Sequence, residues 1–382
     1  MDSAYVSLLR RQTLPWTCST SPKSESGFLP KMSTNGEHHK NTILITGLNG
    51  YLAGRTAELV LREGYRVRGT VRNRQAGEKV KAALLQLGYS SDDIDVLEIP
   101  DICRHGSLDN AAAGCIAVFH LASPVAEIWT LPPSEVVRIA TESTARVLSA
   151  AVRTSDTMKS VVFMSSAAAL FDMPLENRHY TEEDWNTTSE QIVKLEGDKA
   201  GGFHAYLASK TAAEQAFWQF RDSHRPSFGM TALQPTYFIG PPLIPWKTTA
   251  DIPYSNSDFW TVVAGEEIPG PKMVYGDTID IRDVARILLW SALHPSQSDG
   301  QRFVCSSAVG GGQAIADILS RRMPSLRIQR GQPGEGYSPD YKPQVGVGAF
   351  DWSKAVLAMG EDWIPYEESV VDMAQFLQRY LS

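Results

Sequence analysis

Tyr206 and Lys210 stand four residues apart in Tyr206-Leu-Ala-Ser-Lys210. On a helix that spacing puts both side chains on one face. A phenol beside a fixed ammonium becomes a proton donor usable near neutral pH. Y-x-x-x-K recurs by chance in long chains, so it gains meaning only with a nucleotide site and a hydroxyl partner. Ser165 and Ser166 offer the hydroxyl, at the end of the apolar run Ser160-Val-Val-Phe-Met164 and about 40 residues ahead of Tyr206. Open α/β sheets hold ligands at the C-terminal ends of such strands.

The elements that must position these groups follow one another along the chain. Thr42-Ile-Leu-Ile-Thr46 reads as a short strand, running into Gly47-Leu-Asn-Gly-Tyr-Leu-Ala-Gly54 and a helix from about 55 to 63. Strand, glycine turn and helix in that order is the setting of dinucleotide binding. Gly47 allows the sharp turn, Gly50 lets backbone approach a pyrophosphate, and Ala53 lets the helix pack closely on the sheet. The helix N-terminus receives the negative charge. Asn49, Tyr51 and Leu52 belong to the same turn.

A second strand, 65–71, ends at Arg72, with Asn73, Arg74 and Lys79 after it and no carboxylate between Tyr65 and Gly77. An acid there would bind the ribose hydroxyls of NAD, whereas cations suit a 2′-phosphate, so the expected cofactor is NADP(H). A third strand, 95–99, leads to Asp101 and Ile102, where the acid would accept from an adenine amino group. A fourth, 116–121, runs into Ala122-Ser123-Pro124, expected under the cofactor together with Leu121. His120, inside that strand, reads as structural. The spacing over 135–152 predicts a covering helix, 172–202 a polar loop, 206–220 the helix of the Tyr/Lys pair and 229–234 a sixth strand. Residues 236–275 are rich in Pro, Gly and aromatics (Tyr237, Phe238, Trp246, Tyr254, Phe259, Trp260, Tyr275), which suits loops and short helices around a substrate cavity. A helix from Asp280 to about 293, a strand at 301–305, a Gly-, Pro- and charge-rich segment at 310–343 and a final amphipathic helix at 367–381 complete the chain.

At 382 residues, 43% hydrophobic and 21% charged, the chain can bury the core of one large domain or two. A net charge of −7 without a basic block argues against nucleic acid as a partner. Cys18, Cys103, Cys115 and Cys305 are scattered, giving neither a metal site nor a disulfide framework. His38 and His39 read as part of a solvated tail, and no apolar run suits a membrane span. Residues 1–40 are rich in Ser, Thr and Pro and read as a disordered extension. Arg10 and Arg11 give them a faint likeness to a mitochondrial transit peptide, but Met32-Ser-Thr-Asn-Gly resembles an ordinary protein start. The expected location is the cytoplasm.

Taken together, these residues resemble the extended short-chain dehydrogenase/reductases, in particular the dihydroflavonol reductase, cinnamoyl-CoA reductase and fungal carbonyl reductase group. The resemblance covers about Asn41 to Leu381. It rests on the glycine turn with Ala53, on Val67-Arg-Gly-Thr-Val-Arg72 with Lys79, and on Val118-Phe-His-Leu-Ala-Ser-Pro124. Phe163-Met-Ser-Ser166, the Tyr206/Lys210 pair and Ile281-Arg-Asp-Val-Ala285 follow in the family's order. It implies a Rossmann-type doubly wound parallel sheet with a smaller, mostly C-terminal substrate region. The expected division is 41–234 for NADP binding and 235–382 for substrate, with about 280–306 returning to the first unit.

The resemblance also implies the roles. Ser166, with Ser165 in reserve, holds the substrate oxygen, Tyr206 protonates it, and Lys210 lowers the Tyr206 pKa and holds the nicotinamide ribose. Pro235 and Thr236 pack on the nicotinamide, and Pro124, Phe171 and Tyr237 face the substrate. Phe171 replaces the polar residue of plant dihydroflavonol reductases, and His204-Ala-Tyr206 replaces the Asn-Trp-Tyr of cinnamoyl-CoA reductases. A generic aldehyde or ketone, in a setting of secondary metabolism, is therefore the expected substrate of a monomeric or homodimeric NADPH-dependent carbonyl reductase. A sugar-nucleotide epimerase or dehydratase, a hydroxysteroid dehydrogenase and an NADPH-sensing binding protein are the alternatives.

Overall fold

Apolar side chains alternate between the two faces of nearly every strand in the main sheet. Ile43 and Ile45 enter one core while Leu44 enters another, Ala117 and Phe119 oppose Val118, and Val162 and Met164 oppose Val161 and Phe163. A strand buried on both faces needs helices on both sides, and the computed structural model supplies them. It describes residues 40–268, 276–343 and 348–381, so the expectations for the N-terminal extension up to residue 39 and for Tyr275 lie outside the described residues.

The strands are β1 (Thr42–Thr46), β2 (Arg66–Val71), β3 (Ile94–Glu98), β4 (Cys115–His120), β5 (Ser160–Met164), β6 (Gly229–Pro235), β7 (Tyr237–Ile239), β8 (Asp277–Asp280) and β9 (Arg302–Cys305). Two-residue strands lie at His179–Tyr180, Ala308–Val309 and Ala349–Phe350. Seven strands form one sheet in the order β9-β6-β5-β4-β1-β2-β3, every neighbouring pair parallel. The order reverses between β1 and β4, and the crevice at such a switch point is where these sheets take ligands.

The longer helices are α1 (Tyr51–Arg62), α2 (Arg74–Gln86), α3 (Pro133–Arg153), α4 (Gly201–His224), α5 (Ile281–Leu293), α6 (Gly311–Arg322) and α7 (Tyr366–Leu377). The α1, α2 and α5 helices share a core with one face of the sheet, and α3 and α4 with the other. A separate C-terminal core joins α6, α7 and the short helix Ser257–Val263. A fourth cluster of Leu170, Phe171, Tyr180, Leu207 and Phe350 lies next to Tyr206.

Three expected segments differ. The first helix begins at Tyr51, not 55, because Gly50 is extended (φ −71°, ψ 161°) and hands the chain directly to it. The polar loop of 172–202 contains the helix Ser189–Glu196, whose first amide is held by Asn186 Oδ1 at 3.0 Å and whose end turns at Gly197 with φ 54°. α4 consequently starts at Gly201, well before the Tyr/Lys pair. The glycine-rich stretch after Gly310 holds α6, where Ala314, Ile315, Ile318 and Leu319 are buried at helical spacing.

Candidate active site

The Tyr206 hydroxyl donates to Ser166 Oγ at 3.1 Å. The serine comes from the end of β5 and the tyrosine from the second turn of α4, so the contact depends on the strand and helix packing together. Ser166 is extended (φ −165°, ψ 153°) and its Oγ also accepts the Ala168 amide at 3.1 Å. Successive extended residues point to opposite sides. Ser165 accordingly turns away and donates to the carboxylate of Glu214, leaving Ser166 as the serine that meets Tyr206.

Lys210 is 5% exposed and its Nζ donates to the Met164 carbonyl at 3.1 Å. Burial lowers its pKa to about 8, with the Glu214 charge pulling in the opposite direction. Burial holds the Tyr206 phenol above its ordinary value, opposed only by the Ser166 hydrogen bond, while the ammonium is directed at Met164. A phenol that stays protonated suits a proton donor.

His120 is structural, as its position in a buried strand suggests. Thr46 Oγ1 accepts the amides of Leu121 and Ala122, both at 3.0 Å, and lies 2.9 Å from His120 Nδ1. With two amides on its lone pairs, the hydroxyl must donate to Nδ1, which places the ring proton on Nε2. Burial and then the nearby Lys210 charge bring the His120 pKa down to about 3, so the ring is neutral.

The glycine turn sits at the switch point. Gly47 has φ +70°, and a Cβ there would lie 3.2 Å from the Ala122 Cα, so the turn and the Leu121–Ala122 segment meet closely. No acid occupies the first turn of α1, which leaves its N-terminus suited to a pyrophosphate. Asn49 and Gly50 are exposed there, while Leu52 is buried in the core. Tyr51 reaches away from the turn: it donates to the Gly240 carbonyl, with its ring centroid 5.6 Å from that of Trp246. These features fit a dinucleotide cofactor.

The outer contacts are less simple. Arg72 is 73% exposed and pairs with Glu127, an acid from the short turn Ala126–Trp129. The carboxylate missing from the end of β2 is therefore supplied by another part of the chain. Lys79 is exposed on α2. Asp101 Oδ1 accepts the Cys103 amide at 2.9 Å, and Ile102 packs partly against the Leu44/Val118 core. Pro235 is the buried last residue of β6, and Thr236 Oγ1 donates to Ser306 Oγ at 3.2 Å.

Ser123, expected under the cofactor, is partly exposed; of the substrate residues, Pro124 is buried, Tyr237 is partly exposed, and Phe171 is displaced from its expected role. Phe171 is 3% exposed and packs on Tyr180 and Phe350 with ring centroids 6.1 and 5.9 Å away, so it is a core residue, not a wall of the site. Trp129, absent from the sequence-based expectations, is 62% exposed beside Tyr254, with ring centroids 6.3 Å apart. Its ring lies over Gly202, where a Cβ would come within 2.4 Å, one turn before Tyr206 on α4. Glu214 was equally unforeseen, although its place four residues after Lys210 is visible in the sequence.

Residues 43–306 match the NAD dependent epimerase/dehydratase family. The chain is 32% identical over 299 residues to tetraketide alpha-pyrone reductase 1 of Arabidopsis thaliana, covering 76% of this chain and 84% of that protein. It is 29% identical over 310 residues to the NADPH-dependent methylglyoxal reductase GRE2 of Saccharomyces cerevisiae, covering 77% and 87%. The crystal structure of yeast methylglyoxal/isovaleraldehyde reductase Gre2 complexed with NADPH superposes with a TM-score of 0.75 at 26% identity, over 89% of this chain and 98% of that one.

Proposed function

Because the chain belongs to the NAD-dependent epimerase/dehydratase family and its relatives are extended short-chain reductases, we propose that it is an NADPH-dependent carbonyl reductase acting on aldehydes and ketones. The observation that carries this reading is the 3.1 Å contact between Tyr206 and Ser166, with Lys210 one turn further along α4. A substrate oxygen seated between the two hydroxyls meets two donors. Ser166 Oγ accepts the Ala168 amide, which leaves its own proton to give. The two donors stabilise the negative charge that develops on the oxygen. Tyr206 then transfers its proton to that oxygen, completing the alcohol.

The nicotinamide, when bound, supplies the hydride to the carbonyl carbon. The residues that would hold it are the turn from Gly47 to Leu52, the Leu121–Ser123 segment, Lys210, Pro235 and Thr236, with Arg72 and Lys79 toward a 2′-phosphate. The names of the yeast and plant relatives direct attention to α-oxo aldehydes and polyketide-type carbonyls, the latter in keeping with secondary metabolism.

The test is an NADPH-oxidation screen over aldehydes, α-dicarbonyls, β-ketoesters and aryl ketones, repeated with NADH. Turnover of one or more classes with NADPH preferred is expected. Absence of oxidation across the panel would remove the enzymatic reading, and preference for NADH would remove the role of Arg72.

A further inference from the structure

Glu214 is fully buried, and its two oxygens receive four hydrogen bonds. Oε2 takes the Ser165 hydroxyl, while Oε1 takes Gln234 Nε2 at 2.7 Å, Arg302 Nε at 2.7 Å and Trp218 Nε1 at 3.2 Å. These partners come from the end of β5, from β6, from β9 and from α4 itself. A carboxylate this deep needs a counter-charge, and Arg302 provides it. That guanidinium is in turn held by the Asp184 carbonyl at 2.8 Å, with Trp185 stacked 3.8 Å below it.

Such a network does more than fill space, because two of its neighbours belong to the proposed site. Ser165 is covalently next to Ser166, and its bond to Glu214 lies on the side opposite the Ser166–Tyr206 contact. Lys210 lies one helical turn before Glu214. Among the described residues, the charged and titratable groups that act on Lys210 are His120 on β4 and Glu214 on its own helix; Tyr206 lies one turn before it, and Arg302 on β9 lies beyond Glu214. Among them His120 is neutral, and Glu214 is the group whose charge favours the ammonium.

We propose that Glu214 is the positioning residue of this site: it fixes the Ser165–Ser166 strand end against α4 and places a negative charge one helical turn from the Lys210 ammonium. The inference rests on the roles proposed above for Tyr206 and Lys210. Without the Glu214 charge the Lys210 pKa falls below its value of about 8. The alkaline limb of the reduction then moves to lower pH, because the ammonium is lost sooner.

The experiment is Glu214→Gln, read as kcat against pH, NADPH affinity by fluorescence and fold by circular dichroism. The expected result is a folded protein with near-normal NADPH affinity, kcat lowered about tenfold or more, and the alkaline limb displaced to lower pH. Glu214→Asp, which keeps the charge, should return the limb toward the wild-type position. If Arg302 left alone unfolds the single variant, the charge-balanced pair Glu214→Gln with Arg302→Met is measured in its place, with the same displacement expected. A folded variant whose limb stays at the wild-type pH overturns the proposal, whatever its kcat, since that is the behaviour of a merely structural residue. Should the wild type reduce no carbonyl, that failure belongs to the proposed activity. NMR titration of the Lys210 ammonium in wild type and variant then still tests the inference, and an unchanged titration overturns it.

Discussion

At the residue scale, Tyr206 and Lys210 share a face but not an environment. Burial raises the phenol's pKa and lowers that of the ammonium to about 8. Tyr206→Phe should lower kcat by about 10²–10⁴-fold and leave NADPH binding nearly intact, measured by turnover and by nucleotide fluorescence. Deprotonating Lys210 should act on catalysis and on stability with opposite signs. Its ammonium is lost as pH rises through about 8, so the reduction rate should fall there. Its folded pKa lies below the unfolded value of 10.5, so the unfolded chain binds the proton more tightly and stability rises over that same interval. Lys210→Met should therefore lower kcat by about 10²-fold or more while raising the melting temperature at pH 7. A melting temperature that falls would contradict the burial penalty.

At the scale of elements, the Arg72–Glu127 pair joins the end of β2 to the turn Ala126–Trp129. An exposed pair of this kind is worth about 0–1 kcal/mol, little enough for a 2′-phosphate to displace the carboxylate. Arg72→Ala should weaken NADPH binding about tenfold or more. Glu127→Gln should strengthen it and leave NADH binding unimproved, with dissociation constants from fluorescence titration as the check. Stronger NADH binding by Glu127→Gln would mean that the acid is not a competitor of the phosphate.

The same pair shows what the sequence could and could not disclose. Strands such as Ser160–Met164 and Cys115–His120 are legible because their apolar runs are short and nearly continuous. The Tyr206/Lys210 spacing and the glycine turn are legible because helix and turn geometry are local. Glu127 lies 55 residues from Arg72, and only the fold brings them together. Phe171 was misplaced for a related reason: its distance from Ser166 along the chain says nothing about the Tyr180 and Phe350 rings that enclose it. The α6 helix was hidden by the glycines at its start, which break the apolar period where it would be recognised.

For the molecule as a whole, the small sheet of β7, β8 and Ala308–Val309 carries a buried carboxyl. Asp277 on β8 is 4% exposed, and among the described residues its Oδ1 has no hydrogen-bond partner. Burial alone raises its pKa from 3.8 to about 7. A carboxyl raised in this way leaves stability intact below the unfolded value and reduces it as pH climbs through about 7. Asp277→Asn should flatten that decline and raise the melting temperature at pH 8, as read by calorimetry across pH. An unchanged slope would mean that the carboxyl finds a partner in solution.

The Arg302–Glu214 bond also has a temporal meaning. Its partners are 88 residues apart in sequence, and the arginine lies on the strand that joins the sheet last in chain order. During synthesis the carboxylate of α4 emerges long before the cation that neutralises it. Removing one partner of a buried pair costs about 3–5 kcal/mol, so a nascent chain that has not yet delivered β9 holds α4 on the sheet less firmly. The contact of Tyr206 with the end of β5 should therefore become firm only after translation has passed Arg302, and a product truncated before that point should be digested by proteases more readily than the full chain.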